Sequence, residues 1–247
     1  MTSIGTGYDL SASTYSPDGR IFQVEYANKA VENSGTAIGL RVKDGIVLAV
    51  EKIIHSKLLV PEANRRIQSV ERHIGLATAG FLADGRQIAN RARDEVHSHR
   101  SMMRQAPLLK ELVSRLAMTV QAYTLYSSVR PFGVSTIIGG VDVNGPQLYI
   151  IEPSGIAYGY HGAAVGKGRQ LAKTEIEKLK LAELTTREAV MEAARIIYLV
   201  HDDAKEKEFE LEMTWIGDET NGLHTPVPKD LLAEAEQKAK AALETFE

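Results

Sequence analysis

The sequence contains no cysteine. This absence excludes disulfides, zinc knuckles, iron–sulfur clusters and catalysis by a thiol. Stability must therefore come from packing, and a reducing intracellular compartment is the expected environment. No apolar run approaches the roughly 20 residues that a membrane-spanning helix requires. The N-terminus also lacks the basic start and the continuous apolar stretch of a secretory signal, so we expect no export by that route.

A strong charge of one sign is lacking as well. The 29 basic and 32 acidic residues leave a formal net charge of -3, so no global field attracts the protein to nucleic acid or to an anionic membrane. The apolar fraction of 44% and the charged fraction of 25% are those of an ordinary globular protein. We therefore expect a folded protein that binds neither nucleic acid nor membranes.

The first half of the chain is predicted to contain a helix, a group of strands and a helix pair. Residues 16–19, Ser-Pro-Asp-Gly, favour a tight turn, and the apolar residues after it recur at helical steps. The Asp44-Gly45 pair between two apolar, β-branched runs indicates a hairpin. Helices are predicted over residues 20–32, 83–105 and 107–127, and strands over residues 36–42, 45–50, 67–70 and 73–79.

The second half is predicted to contain another group of strands and another helix pair. Thr185 and Glu188 have the spacing of a capping box, so a helix should begin there. Because strands and helices occur in groups, without regular βαβ alternation, we expect two sheets with helices on their outer faces. Strands are predicted over residues 134–141, 147–151, 156–160 and 209–216, and helices over residues 166–180, 185–205 and 228–243.

Two segments near the N-terminus are specific enough to indicate a family. They are Tyr8-Asp9 and the stretch from Ser16-Pro17-Asp18-Gly19-Arg20 to Gln23-Val24-Glu25-Tyr26-Ala27. Together they resemble the N-terminal signature of proteasome alpha subunits. Residues 130–135 and 166–168 lie where that family has similar segments, so the resemblance covers nearly the whole chain. Within the family, residues 209–212, Trp215 and residues 220–224 are most similar to the eukaryotic type-3 branch.

The resemblance implies an α+β fold, a four-layer α-β-β-α sandwich of the N-terminal-nucleophile hydrolase type with an added N-terminal helix. It implies a single domain, residues 1–247, with a flexible gate tail (1–12), the N-terminal helix (20–32), and the sandwich with its C-terminal helix (36–247). It also implies a seven-membered alpha ring stacked on beta-ring subunits. Regulatory particle ATPases and other proteasome activators are the further partners, and cytoplasm and nucleus are the expected locations.

The same resemblance implies that this chain is not itself the peptidase. Active relatives use an N-terminal threonine exposed by self-cleavage, whose free amine is the base for its own hydroxyl. Here the candidate, Thr36, follows 35 residues. Glu51 replaces the supporting aspartate, and Arg66, near the supporting lysine, stays protonated. We expect no catalytic residue, cofactor or metal. The alternatives are a hydrolase released by cleavage before Thr36 and a monomeric adaptor that has only the fold.

The gate prediction concerns Tyr8, Asp9, Pro17 and Tyr26. In the family these positions form a cluster at the inner rim of the ring, where contacts between neighbours hold the N-terminal tails closed or open. Local turn and helix packing is the alternative reading of the same residues. Leu10 departs from the family, in which many members have an arginine that forms an ion pair between subunits. The first seven residues are expected to act as a movable plug.

Arg66 is the candidate for an activator-docking pocket. Similar alpha subunits often have a lysine there, in a pocket between neighbours, which pairs with the C-terminal carboxylate of an activator. Arginine keeps the charge and changes the geometry of that pairing. The alternative is a solvated charge in the Arg65-Arg66 pair.

Two further patterns are given structural explanations. Residues 162–167 are one residue short of a phosphate-binding loop, and no Ser or Thr follows Lys167, so we predict a helix start there. His97 and His99 are two residues apart on a helix and face different directions, and the adjacent residues His201-Asp202-Asp203 do not share a face. We therefore predict solvated helix surface at these residues instead of metal sites.

Overall fold

The computed structural model describes residues 7–201 and 207–244. Residues 1–6 of the predicted gate tail lie outside this description. The elements in chain order are α1 (Phe22–Glu32), β1 (Ala37–Val42), β2 (Gly45–Ile53), β3 (Ile67–Glu71), β4 (Ile74–Gly80), α2 (Leu82–Met103), α3 (Leu109–Ala122), β5 (Val134–Asp142), β6 (Gly145–Ile151), β7 (Ala157–Gly159), β8 (Gly162–Val165), α4 (Arg169–Glu177), α5 (Thr186–Val200), β9 (Phe209–Gly217), β10 (Thr225–Pro226) and α6 (Lys229–Glu244).

The strands form two five-stranded sheets in which neighbours pair antiparallel. The first sheet has the order β10-β9-β2-β1-β8, and the second sheet has the order β3-β4-β5-β6-β7. In the hairpin of β1 and β2, Val42 pairs with Gly45, so Lys43 and Asp44 form a two-residue turn and the predicted hairpin is confirmed. Strand β9 comes from late in the chain and pairs along the whole of β2.

Helices cover the outer face of each sheet. Helix α5 contacts β1, β2 and β9 of the first sheet and packs against α4 and α6, whereas α2 and α3 contact the second sheet. An apolar cluster from both sheets fills the space between them. The arrangement confirms the predicted α-β-β-α sandwich. The members of the cluster include Ile46, Leu48, Val50, Ile67, Ala77, Ile137, Leu148, Ile150 and Val165.

Gly39 marks a close approach of the two sheets. A Cβ atom at this position would lie 2.8 Å from Cγ2 of Ile137 and 2.9 Å from Cδ1 of Leu148. Gly139 in the second sheet is restricted in the same way, because its Cβ would lie 2.7 Å from Cγ2 of Ile46. Only a residue without a side chain leaves room for the opposite sheet at these two positions.

Helix α1 packs against β4 and β5. It buries Phe22 in its first turn, and it buries Ala27 and Val31, which are four residues apart and share a face. Tyr26 is exposed. The chain continues from the end of this helix into β1 through residues 33–36, so α1 is directly joined to the first strand of the sandwich.

The capping box at Thr185 and Glu188 is confirmed, because each side chain accepts the backbone N–H of the other. Several other boundaries were wrong. Helix α3 begins at Leu109, whose N–H donates to the Asp142 carboxylate at 3.0 Å and thereby gains a partner that the first turn of a helix lacks. Helix α2 ends at Met103, because Arg104 adopts a left-handed conformation with φ of 59°.

No helix within residues 7–201 and 207–244 is long and apolar enough to cross a bilayer.

Candidate gate cluster and docking pocket

Asp9 and Tyr26 of the predicted gate cluster are in contact. The Tyr26 hydroxyl donates to Oδ2 of Asp9 at 3.1 Å, and the side-chain amide of Gln23 donates to the backbone carbonyl of Asp9. Partial desolvation and the bond to Asp9 raise the pKa of Tyr26, so its hydroxyl remains a donor at neutral pH. These bonds attach the segment before α1 to the helix.

Pro17 lies in the predicted tight turn. The N–H of Gly19 donates to the carbonyl of Ser16 at 2.9 Å, and Gly19 has a φ of 79°, which suits glycine. Pro17 is exposed, and Tyr8 and Leu10 are 42% and 87% exposed. The fold of one chain therefore leaves these three side chains accessible to another protein chain.

Arg66 immediately precedes β3 and is partly buried. Its backbone N–H donates to the carboxylate of Glu212 at 2.8 Å, and its guanidinium donates to the backbone carbonyl of Gly80 at 2.5 Å. Burial lowers the pKa of Arg66, and the nearby Glu212 charge offsets part of that effect, yet an arginine remains protonated at neutral pH. The alternative reading of Arg66 as a freely solvated charge therefore does not match its surroundings.

A cavity of about 1290 Å³ opens beside Arg66. We call it the docking pocket, after the docking role predicted for Arg66. Its wall contains charges of both signs, and the ammonium of Lys52 pairs with Glu210 at 2.9 Å. The end of α1 forms one side, so the helix that bonds Asp9 also lines this cavity. Its lining includes Ala30, Asn33, Lys52, Arg66, Gly80 and Phe209.

Thr36 is fully buried at the start of the first sheet. Its backbone N–H, which is part of the peptide bond to Gly35, donates to Oε2 of Glu51 at 2.8 Å. Its hydroxyl accepts the N–H of Gly168 at 2.9 Å. Both polar groups that a threonine nucleophile would use are therefore engaged in bonds within the fold.

Glu51 and His201 form a buried pair that the sequence analysis missed. Their side chains are 2% and 3% exposed, and His201 also packs on the ring of Phe209 at 4.4 Å between centroids. The predicted solvated surface is wrong for His201 and for His99, which is 9% exposed. Helix periodicity identifies faces, but which face is covered depends on distant segments.

His97 is exposed as predicted, whereas Asp202 and Asp203 lie outside the described residues. Within the described ranges, no group of three or more His, Cys, Asp or Glu residues could hold a metal ion. The helix start predicted over residues 162–167 is also wrong. Residues 162–165 form β8, which pairs with β1, and a turn with φ of 98° at Gly166 separates it from α4.

Comparison with known proteins identifies the family. The family model described as "Proteasome subunit" matches residues 31–216, and a second model, the N-terminal signature of the alpha-type proteasome subunits, matches residues 8–30. The chain belongs to the proteasome alpha-subunit family. The second match covers the segments that carried the resemblance, including Tyr8, Asp9, Pro17 and Tyr26.

Relatives in this family match along nearly the full length of the chain. The alpha type-3 proteasome subunit of Acanthamoeba castellanii is 65% identical over 245 residues, 99% of this chain and 97% of the relative. The protein of the same name from Spinacia oleracea is 60% identical over 247 residues, 100% of this chain and 99% of the relative. The probable alpha type-7 proteasome subunit of Saccharomyces cerevisiae is 59% identical over 239 residues, 95% of this chain and 83% of the relative.

These matches confirm the predicted resemblance to proteasome alpha subunits and to their type-3 branch. As a member of this family, the chain belongs to a protein-degradation complex and assembles with other proteasome subunits.

Proposed function

We propose that this chain is a non-catalytic, structural subunit of the heptameric alpha ring at the outer end of the 20S proteasome core. The observation that carries the proposal is the environment of Thr36. An active relative needs a free amine at this threonine, but here the nitrogen is an amide that donates to Glu51. Helix α1 precedes it in the chain. The subunit would support ubiquitin-dependent and ubiquitin-independent protein degradation. It would do so by controlling the entry of substrate proteins into the core particle, and it would not cut peptides itself.

The gating part of the proposal is supported by the bond between Asp9 and Tyr26. That bond holds Asp9, which follows the predicted plug residues, against α1. Tyr8 and Pro17 are exposed beside it and are available for contacts with a neighbouring member of the ring. Closed and open tails would then be alternative sets of such contacts, and an activator would shift their populations.

The docking part of the proposal is supported by Arg66 and its cavity. A guanidinium recognises a carboxylate through charge-assisted hydrogen bonds, and partial burial strengthens that attraction relative to a solvated site. Ala30 lines the cavity and lies one turn after Tyr26, about 6 Å along the helix axis. An activator C-terminus in the pocket would therefore contact the same helix that bonds the tail.

The proposed partners are the other alpha subunits of the ring, the beta-ring subunits, regulatory particle ATPases and other activators. The proposed locations are the cytoplasm and nucleus. The formal net charge of -3 is compatible with protein partners, and it produces no positive field that would attract nucleic acid.

Native purification of the tagged subunit tests the whole proposal. We expect it to elute in a particle much larger than a monomer, together with other alpha and beta subunits. Intact-mass measurement should find a chain that still contains α1. A stable monomer would contradict the ring assignment, and a natural chain that begins at Thr36 and hydrolyses peptides by itself would contradict the non-catalytic one.

A further inference from the structure

Glu212 connects the two sheets beside the docking pocket. It lies on β9 of the first sheet, and its carboxylate accepts the N–H of Arg66 at 2.8 Å and the N–H of Ile67 at 3.1 Å. Ile67 begins β3 of the second sheet. One side chain therefore holds two consecutive N–H groups at the start of a strand in the opposite sheet.

The side chain of Arg66 is held at its other end. Its guanidinium donates to the carbonyl of Gly80 at 2.5 Å. Gly80 ends β4, where it pairs with Val134 of β5, and a Cβ there would lie only 2.2 Å from the carbonyl oxygen of Gly133. The acceptor for the guanidinium therefore belongs to a backbone segment with little room to move.

We propose that Glu212 is a positioning residue for the docking pocket, which holds Arg66 so that its guanidinium is ready to receive the C-terminal carboxylate of a bound peptide. The inference rests on the proposed docking function and extends it to a residue outside the ligand's reach. Glu212 acts through the backbone of Arg66, while the guanidinium retains N–H groups beyond the one that donates to Gly80.

The contribution of Glu212 to peptide affinity follows from the entropy that the Arg66 side chain loses when a ligand binds it. An arginine that is already held loses less freedom when a carboxylate arrives. Releasing the Arg66 backbone would therefore weaken binding of a free-acid peptide by about 2- to 10-fold, the range expected for one immobilised side chain. Glutamine at position 212 keeps one acceptor oxygen, so its effect should be smaller than that of alanine.

The test uses assembled core particles and a probe whose labelling is read on this subunit only. Decapeptides matching the C-termini of regulatory particle ATPases carry a photoreactive benzophenone and are prepared as free acids and as C-terminal amides. Labelling of this subunit is quantified by mass spectrometry against peptide concentration. We expect Glu212→Ala to weaken acid-peptide labelling by about 2- to 10-fold, to change amide labelling little, and thus to lower the acid-to-amide ratio.

Asp44→Asn is the matched control, because the Asp44 carboxylate also accepts a backbone N–H, that of Thr186 at 2.8 Å, away from the pocket. It should leave the acid-to-amide ratio unchanged. A Glu212→Ala particle with reduced thermal stability and an unchanged ratio would show a merely structural role and overturn the inference.

Arg66→Ala separates this inference from the docking proposal. If it leaves the acid-to-amide ratio unchanged, docking at Arg66 is wrong and the role of Glu212 falls with it. If Arg66→Ala removes the preference for the acid while both Glu212 variants keep it, docking stands and positioning is wrong. Should Glu212→Ala fail to assemble, Glu212→Gln decides, and an unchanged ratio in that variant overturns the inference.

Discussion

Nδ1 of His201 lies 2.5 Å from Oε1 of Glu51, in a contact that joins the end of α5 to β2. The second carboxylate oxygen of Glu51 accepts the N–H of Thr36. The two oxygens of the Glu51 carboxylate are thus bonded by groups from different parts of the fold. In this protein it links a helix, a strand and the start of the sandwich.

Removing His201 should destabilise the protein strongly. His201→Ala removes one of the two hydrogen-bond partners of the buried Glu51 carboxylate, and leaving a buried polar group short of a partner typically costs about 1–3 kcal/mol. Urea unfolding of the purified chain measures the loss. The control, exposed His97→Ala, should change stability by no more than about 0.5 kcal/mol. A His201→Ala cost within that limit would contradict the importance of the pair.

His224 should make the fold sensitive to acid. Burial lowers its pKa from 6.5 to about 4, and its ring nitrogens contact the hydroxyls of Ser69 and Thr214 at 2.7 and 2.8 Å. The unfolded chain therefore takes up the proton first. The contribution of His224 to stability is complete above its unfolded pKa of 6.5 and is lost as the pH drops toward 4, by roughly 3 kcal/mol in total.

NMR titration of the His224 ring should give its lowered pKa directly. Unfolding measured from about pH 7 to about pH 4 should show a flatter pH dependence in His224→Gln than in the unchanged chain. His97→Gln is the control and should keep the full dependence. A ring that titrates near its ordinary value would refute this prediction.

The pair of Asp84 and Arg130 should contribute unequally to stability. Arg130 donates to both carboxylate oxygens, at 2.7 and 2.9 Å, and the N–H of Gly133 adds a third bond at 2.9 Å. The side chains of Arg130 and Asp84 are 60% and 11% exposed. Water can replace the carboxylate around Arg130, but the buried N–H of Gly133 would lose its partner.

We therefore expect Asp84→Ala to cost about 2–3 kcal/mol and Arg130→Ala to cost about 1 kcal/mol. Burial alone would raise the pKa of Asp84, but the bonds from Arg130 and Gly133 outweigh it and lower the pKa. The contribution of this carboxylate is therefore present above its unfolded pKa and is lost as the pH falls through the folded one. Denaturant unfolding at neutral and acidic pH checks both statements, and equal costs for the two variants would contradict the first.

Tyr26→Phe tests the gate cluster with one atom removed. The ring stays, but the hydrogen bond to Asp9 is lost. The tail arrangement that contains this bond should therefore become less stable by about 0.5–1.5 kcal/mol. If that arrangement belongs to the closed gate, basal peptide hydrolysis by the assembled particle should rise. Tyr15→Phe, at a residue 68% exposed, is the control. Equal rates in the two variants would argue against gating through Tyr26.

Local signals predicted much of this fold. The Asp44-Gly45 pair predicted the first hairpin, and Thr185 with Glu188 predicted the start of α5, because both depend on residues close in the chain. Strands β8 and β10 were missed because four and two residues are too few for a recognisable alternation. Their existence depends on pairing with β1 and β9.

The site was less predictable because its contacts join residues that are far apart in the sequence. Alternation along β9 separates its apolar residues from Glu210 and Glu212, but it does not show that Glu212 meets residues 66 and 67 in the other sheet. The same holds for His201 and Glu51, which are 150 residues apart. Signature residues indicated the family, whereas the physical roles of these carboxylates required coordinates.

At Gly39 and Gly139 the two sheets approach so closely that no space remains for a side chain. A methyl group added at either position could not be accommodated by turning one side chain, because the nearest atoms belong to residues that are themselves closely packed. The buried side chains of Ile137, Leu148 or Ile46, or the strands that carry them, would have to shift. We expect such a shift to strain bonds that span the two sheets, including the one from Glu212 to Arg66, so that a change deep in the sandwich would be felt at a pocket on its surface.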